Sequence, residues 1–189
     1  MSAQPANLLQ RHRLDVADYY RMAEAGILGE DDRCELIDGE IIDMAPIGSE
    51  HSAIVKRLNR LFELVVHHQA IVSVQDPIRL NRQNEPQPDI ALLHYREDFY
   101  RDAHPGPEDV LLIIEVADSS ARYDREIKLP LYARHGIPEV WIVDLRQRRL
   151  DIHRQPDGAA YREARIATGP DSISPLALPE CRVDVSTLF

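Results

Sequence analysis

Glu115 follows an unbroken apolar run, Val110-Leu111-Leu112-Ile113-Ile114, and Asp89 follows a proline in Pro86-Gln87-Pro88-Asp89-Ile90. A carboxylate at the end of a buried strand costs roughly several kcal/mol unless a cation, a metal or a hydrogen-bond donor faces it. Pro88 cannot donate to a central ladder, so it marks the start of a strand and places Asp89 at a strand end as well. Taken singly, Glu115 is equally a strand end emerging into water, and Pro-Asp is an ordinary turn. Together they gain weight, because adjacent strand ends are where side chains converge in an α/β sheet. Two hard oxygen ligands of this kind suit a cation such as Mg²⁺. The third group is Lys128. Of the 22 Lys and Arg residues, only Lys56 and Lys128 are lysines. A compact ammonium offers a pKa that can shift, which a guanidinium does not; the plainer reading of a helical lysine is a solvated one.

The elements that must position these groups can be read from the residue pattern. Asp15 can cap a helix carrying Val16, Tyr19, Tyr20 and Ala23, closed by Gly26. Residues 35–44 predict two short strands around Asp38-Gly39, a two-residue hairpin signal. Ser49 can cap a long helix whose apolar face holds Ile54, Leu58, Leu61, Phe62 and Val65. Strands are expected at 71–80, 89–93, 110–116 and 140–143, with a helix at 124–135 ended by Gly136 and Pro138. The run at 110–114 lacks alternation, as a strand covered on both faces should. Residues 150–153, 161–166 and 181–185 predict peripheral strands, and no internal repeat is visible.

The 189 residues, 44% hydrophobic and 29% charged, are enough for one core and predict a single domain over 1–189 with residues 1–14 as a flexible arm. No apolar stretch is long enough for a bilayer and the N-terminus lacks a secretory apolar core, so a soluble cytoplasmic protein is expected. Cys34 and Cys181 have neither zinc-site spacing nor the density of a disulfide scaffold. The net charge of −10 argues against a protein that coats nucleic acid. Arginines nevertheless cluster at 122, 125 and 134 and again at 146, 148 and 149, readable as solvated surface or as local basic patches.

Pro88-Asp89, Glu115-Val116-Ala117, Asp124-Arg125-Glu126-Ile127-Lys128, Tyr132 and the stretch from Gly136-Ile137-Pro138-Glu139 to Asp144 together resemble the Uma-type restriction endonucleases. This family is also called domain of unknown function 820, a branch of the PD-(D/E)XK nuclease superfamily. Glu35-Leu36-Ile37-Asp38-Gly39-Glu40 and His51 at a helix start fit the same pattern, and the similarity spans about residues 15–155. The resemblance implies an α/β (α+β) restriction-endonuclease-like core, a mixed central sheet flanked by helices, with peripheral C-terminal strands. It implies a hydrolase that cleaves phosphodiester bonds in DNA with Mg²⁺ or Mn²⁺, leaving 5′-phosphate and 3′-hydroxyl ends, and a homodimer. Asp89, Glu115 and the Val116 carbonyl would hold the metal, and Lys128 would orient water or stabilise charge on phosphate. Glu35 and His51 are additional candidates, alternatively an arginine partner and a hydrogen-bonded histidine. Arg122 and Arg125 would contact DNA. One departure from the superfamily is Ala117, which stands where the lysine two residues after the second acid belongs. In this branch the lysine is taken to sit on the following helix, which makes Lys128 the replacement. Two other functions stay open: a non-catalytic binding or structural relative of the nuclease fold, and a metal-dependent nucleotide phosphohydrolase, whose deep pocket an acidic surface tolerates better than a duplex.

Overall fold

The apolar run at 110–114 becomes the inner strand of a six-stranded sheet, with side chains buried on both faces. The computed structural model describes residues 11–29, 31–66 and 68–189. The expected arm at 1–14 therefore lies largely outside the described residues. Its described end is tied down, with the Leu14 amide donating to the Gly39 carbonyl and Arg11 and Arg13 both reaching Glu40.

The chain runs α1 (Val16–Glu24), the hairpin β1 (Cys34–Ile37) and β2 (Glu40–Asp43), then α2 (Ser49–Val66), β3 (Ala70–Val74), β4 (Ile90–His94) and β5 (Val110–Ala117). A third helix at 121–134 leads to β6 (Glu139–Asp144), β7 (Arg149–Asp157), β8 (Ala160–Ala167), and the short pair β9 (Ser172–Ile173) and β10 (Val183–Asp184). Asp15 and Asp18 close a reciprocal capping box at α1, as the Asp15 cap signal predicts. Asp38 and Gly39 both take positive φ, 48° and 72°, the backbone that a two-residue hairpin turn demands.

The sheet order is β3-β4-β5-β6-β7-β8, antiparallel except for the parallel β5–β6 pair. Along β5, Leu112, Ile114 and Val116 face the cluster that α2 closes with Leu58 and Phe62, while Ile113 and Ala117 face Leu131 and Tyr132 of the third helix. Glu115 lies between Ile113 and Ala117, so strand alternation turns it toward the third helix. Among the described residues, no helix is long and apolar enough to cross a membrane.

Three boundaries differ from the sequence pattern. The strand expected at 71–80 stops at Val74, because Gln75 takes φ 56° and Pro77 follows with no N–H to give. The C-terminal strands are peripheral, but β7 and β8 extend the central sheet to its edge and only β9–β10 stands apart. The helix expected at 124–135 starts earlier and is not uniform: α-helical turns at Ala121–Tyr123 and Leu129–Arg134 flank a π-helical turn at Asp124–Lys128. The Leu129 amide donates five residues back, to the Asp124 carbonyl. Pro130 gives the cause, since it has no N–H for the Glu126 carbonyl and its ring crowds that oxygen.

Candidate active site

Asp89 stands one residue before β4, and the antiparallel register Ile90↔Ile114 continues by one step to set it beside Glu115. The two acids arrive on the same face of the sheet, under the third helix. Asp89 is held on both oxygens: Oδ2 accepts from His51 Nε2 at 3.0 Å and from the Val116 amide at 2.8 Å, and Oδ1 accepts from Gln75 Nε2 at 3.1 Å. Burial pushes this carboxyl up, but the His51 hydrogen bond, the Val116 amide and Gln75 outweigh it and leave Asp89 below the usual carboxylate range. Because Asp89 is an acceptor, His51 must donate through Nε2, and its buried Nδ1 has no partner among the described residues.

Glu115 is 4% exposed and meets Lys128 Nζ at 2.8 Å and the Tyr132 hydroxyl at 2.6 Å, both on Oε1. Burial raises its pKa, Lys128 opposes, and Asp124 and Asp89 add to the rise, for a value of about 8. Lys128, 3% exposed, also lies 3.4 Å from Glu35 Oε2. Burial would lower its pKa, but Glu115, Glu35, Tyr132 and Asp124 together hold it well above the ordinary lysine value, so the ammonium stays charged.

Glu35, expected as a possible arginine partner, has no arginine beside it among the described residues: it accepts from the Gln87 amide at 3.0 Å and the Tyr123 hydroxyl at 3.1 Å and faces Lys128. Asp124, which the sequence reading passes over as a site residue, is buried beside Lys128 and accepts from the Ser120 hydroxyl at 2.7 Å. Burial pushes its carboxyl up against the pull of Lys128. A signal for it exists: Asp124, Lys128 and Tyr132 recur every four residues, one face of a helix. Gln75 had no such signal, because it sits in an irregular loop.

These groups line one cavity of about 290 Å³, with Glu35, His51, Asp89, Glu115, Val116, Asp124 and Lys128 in its wall. Val116 contributes its amide to Asp89 there. Arg122 and Arg125 are elsewhere. Arg125 is clasped by Asp144 at 2.6 Å and Asp151 at 2.8 Å, and Arg122, 85% exposed, pairs with Glu126 along its own helix.

A family model with the description "Putative restriction endonuclease", named Uma2, matches residues 16–186. Among solved structures, the chain is similar to the crystal structure of a "putative nuclease belonging to DUF820" from Anabaena variabilis, with a TM-score of 0.71 and 18% identity over 93% of this chain and 97% of that one. At that identity the likeness speaks for the fold, which is the mixed sheet flanked by helices that the family resemblance implies. No curated protein matches the chain.

Proposed function

Because this chain belongs to the family described as "Putative restriction endonuclease", we propose that it is a divalent-metal-dependent endonuclease hydrolysing phosphodiester bonds in DNA. The observation that carries the reading is the position of Lys128. Strand β5 offers only Ala117 at the superfamily's lysine position, yet the third helix delivers an ammonium 2.8 Å from Glu115.

The donor set fits a hard cation. Among the described residues, no three His, Cys, Asp or Glu side chains stand at mutual ligand spacing. A cation here would therefore rest on two carboxylates, Asp89 and Glu115, whose hard oxygens suit Mg²⁺ or Mn²⁺, with water and substrate oxygens completing the shell. The Val116 carbonyl is a further donor available to it. When bound, such a cation would polarise the phosphoryl oxygen and make a nearby water more acidic.

The chain's own groups set the rest. Lys128, whose pKa its acidic neighbours hold well above the ordinary lysine value, stays protonated, so it takes no proton and works as a fixed positive charge beside the phosphate. Tyr132 and Glu35 pin it and Glu115 from either side. His51 and Gln75 fix the plane of the Asp89 carboxylate.

Nicking of supercoiled plasmid with Mg²⁺ or Mn²⁺ tests the reading, comparing wild type with Asp89→Ala, Glu115→Ala and Lys128→Ala. Nicking that needs the metal and disappears in all three variants is the expected result. The three hydrogen bonds already made by Asp89 favour a second reading, a relative that keeps the fold without turnover. Metal binding by calorimetry with no nicking under any condition would select that one.

A further inference from the structure

The cavity has two kinds of lining. From the sheet and the third helix come the acids and Lys128; from β2 and its connection to α2 come Ile42, Met44, Pro46 and Ile47. Ile47 is 41% exposed, an apolar rim beside charged groups that stays open among the described residues. Among the described residues, two basic side chains, Arg33 and Lys128, line the cavity, against six carboxylates, those of Glu35, Asp43, Asp89, Glu115, Asp118 and Asp124. Arg33 is in no ion pair among the described residues and touches only the Ala45 carbonyl, at 3.4 Å.

A duplex lies across a surface and needs a row of free cations for its phosphates. Four arginines that a sequence reading would offer for such a row carry carboxylate partners that offset their charge: Arg79 with Glu85, Arg125 with Asp144 and Asp151, and, at the exposed surface, Arg82 with Asp15 and Arg122 with Glu126. A single phosphodiester entering with a divalent cation meets a different balance, because one negative charge then faces Lys128 and Arg33. The base attached to that phosphate requires an apolar surface, and the Met44–Ile47 rim supplies it next to the acids. In a duplex the same base must first be unpaired and unstacked; in a single strand it is already free.

Resting on the nuclease reading, we infer that the cavity takes an unpaired nucleotide of a single DNA strand, its phosphate toward Asp89, Glu115 and Lys128 and its base against Met44, Pro46 and Ile47. Supercoiled plasmid, which contains transiently unpaired stretches, remains a substrate on this view, whereas relaxed duplex is a poor one.

The test is fluorescence anisotropy of the full chain with a short labelled oligonucleotide, single-stranded and as its duplex, with Ca²⁺ supplying the cation. The single strand should bind at least about tenfold more tightly. Its log K should fall against log salt with a shallow slope of about −0.7, that of one neutralised phosphate. Ile47→Asp should weaken single-strand binding about tenfold without moving the thermal midpoint, since Ile47 is exposed. Equal or tighter duplex binding, a slope steeper than about −4, an unchanged Ile47→Asp, or no binding of either form overturns the inference. So does a free 5′-mononucleotide that competes as well as the oligonucleotide, which would make the cavity a nucleotide phosphohydrolase site. The two readings fail separately. Single-strand preference without any Mn²⁺-dependent cleavage removes the nuclease and keeps the binding site, and equal cleavage and binding of both forms does the reverse.

Discussion

Replacing Lys128 by Met keeps the aliphatic length of the side chain and removes its charge, which isolates the electrostatic role of the ammonium. Lys128 Nζ lies 2.8 Å from Glu115 and 3.4 Å from Glu35, and all three residues are buried. Removing one partner of a buried ion pair costs about 3–5 kcal/mol, because the remaining charge has no compensation. Here two carboxylates are stranded, with Asp124 and Asp89 close by, and the fold's recourse is to protonate them. Glu115 already titrates near 8 with the ammonium in place, against 4.5 for a free glutamate. Without Lys128 its folded pKa rises further. A carboxyl raised in the folded state favours folding below its unfolded pKa and loses that contribution as pH rises through the folded value. The penalty of Lys128→Met should therefore be about 3–5 kcal/mol near pH 8 and smaller near pH 5. Urea unfolding reads this directly: with a slope of about 2 kcal/mol per molar, the midpoint should fall by about 2 M at the higher pH. Adding Glu115→Gln should recover at least about 1 kcal/mol, the coupling expected of residues in one network. A loss below about 1 kcal/mol, the same at both pH values and unaffected by Glu115→Gln, would refute the buried ion pair as described.

The wild-type chain should itself lose stability between about pH 5 and pH 8, since Glu115 is raised from 4.5 to about 8 while the opposite contribution of Asp89 is already complete above its unfolded value; urea midpoints across that range check the sign. Glu139 is fully buried and accepts from Trp141, Arg154 and the Leu176 amide, so Glu139→Ala should cost about 3–5 kcal/mol, against under about 1 kcal/mol for Glu40→Ala at a half-buried surface pair, by chemical denaturation. Asp15→Ala removes half of the capping box at α1 and should cost about 1 kcal/mol, with hydrogen exchange faster at the start of that helix.

Much of the scaffold was legible because it is written in local chemistry. The cap at Asp15, the Asp38-Gly39 turn and the doubly buried run of β5 each follow from a handful of adjacent residues. The acid pair was legible through Pro88 and the end of the apolar run. What stayed hidden depends on tertiary placement. Nothing near residue 75 tells that Gln75 returns to grip Asp89, and Arg125 looks free in sequence although Asp144 and Asp151 enclose it in space. The π turn is an intermediate case: Pro130 inside an amphipathic helix announces a disturbance, but not that Asp124 and Lys128 would both be driven into the core.

The transfer of the ammonium from strand to helix also sets an order of events during synthesis. The acids at 35, 89 and 115 leave the ribosome ahead of residue 128, and the helix that carries the lysine needs Pro130, Leu131 and Tyr132 before it can seat against β5. A chain stalled before that helix would carry these carboxylates without the ammonium that pairs with Glu35 and Glu115. The three acids and the ammonium can therefore meet only after the helix that follows β5 has been made, so the charge balance of this cavity is completed after the strands that form its floor.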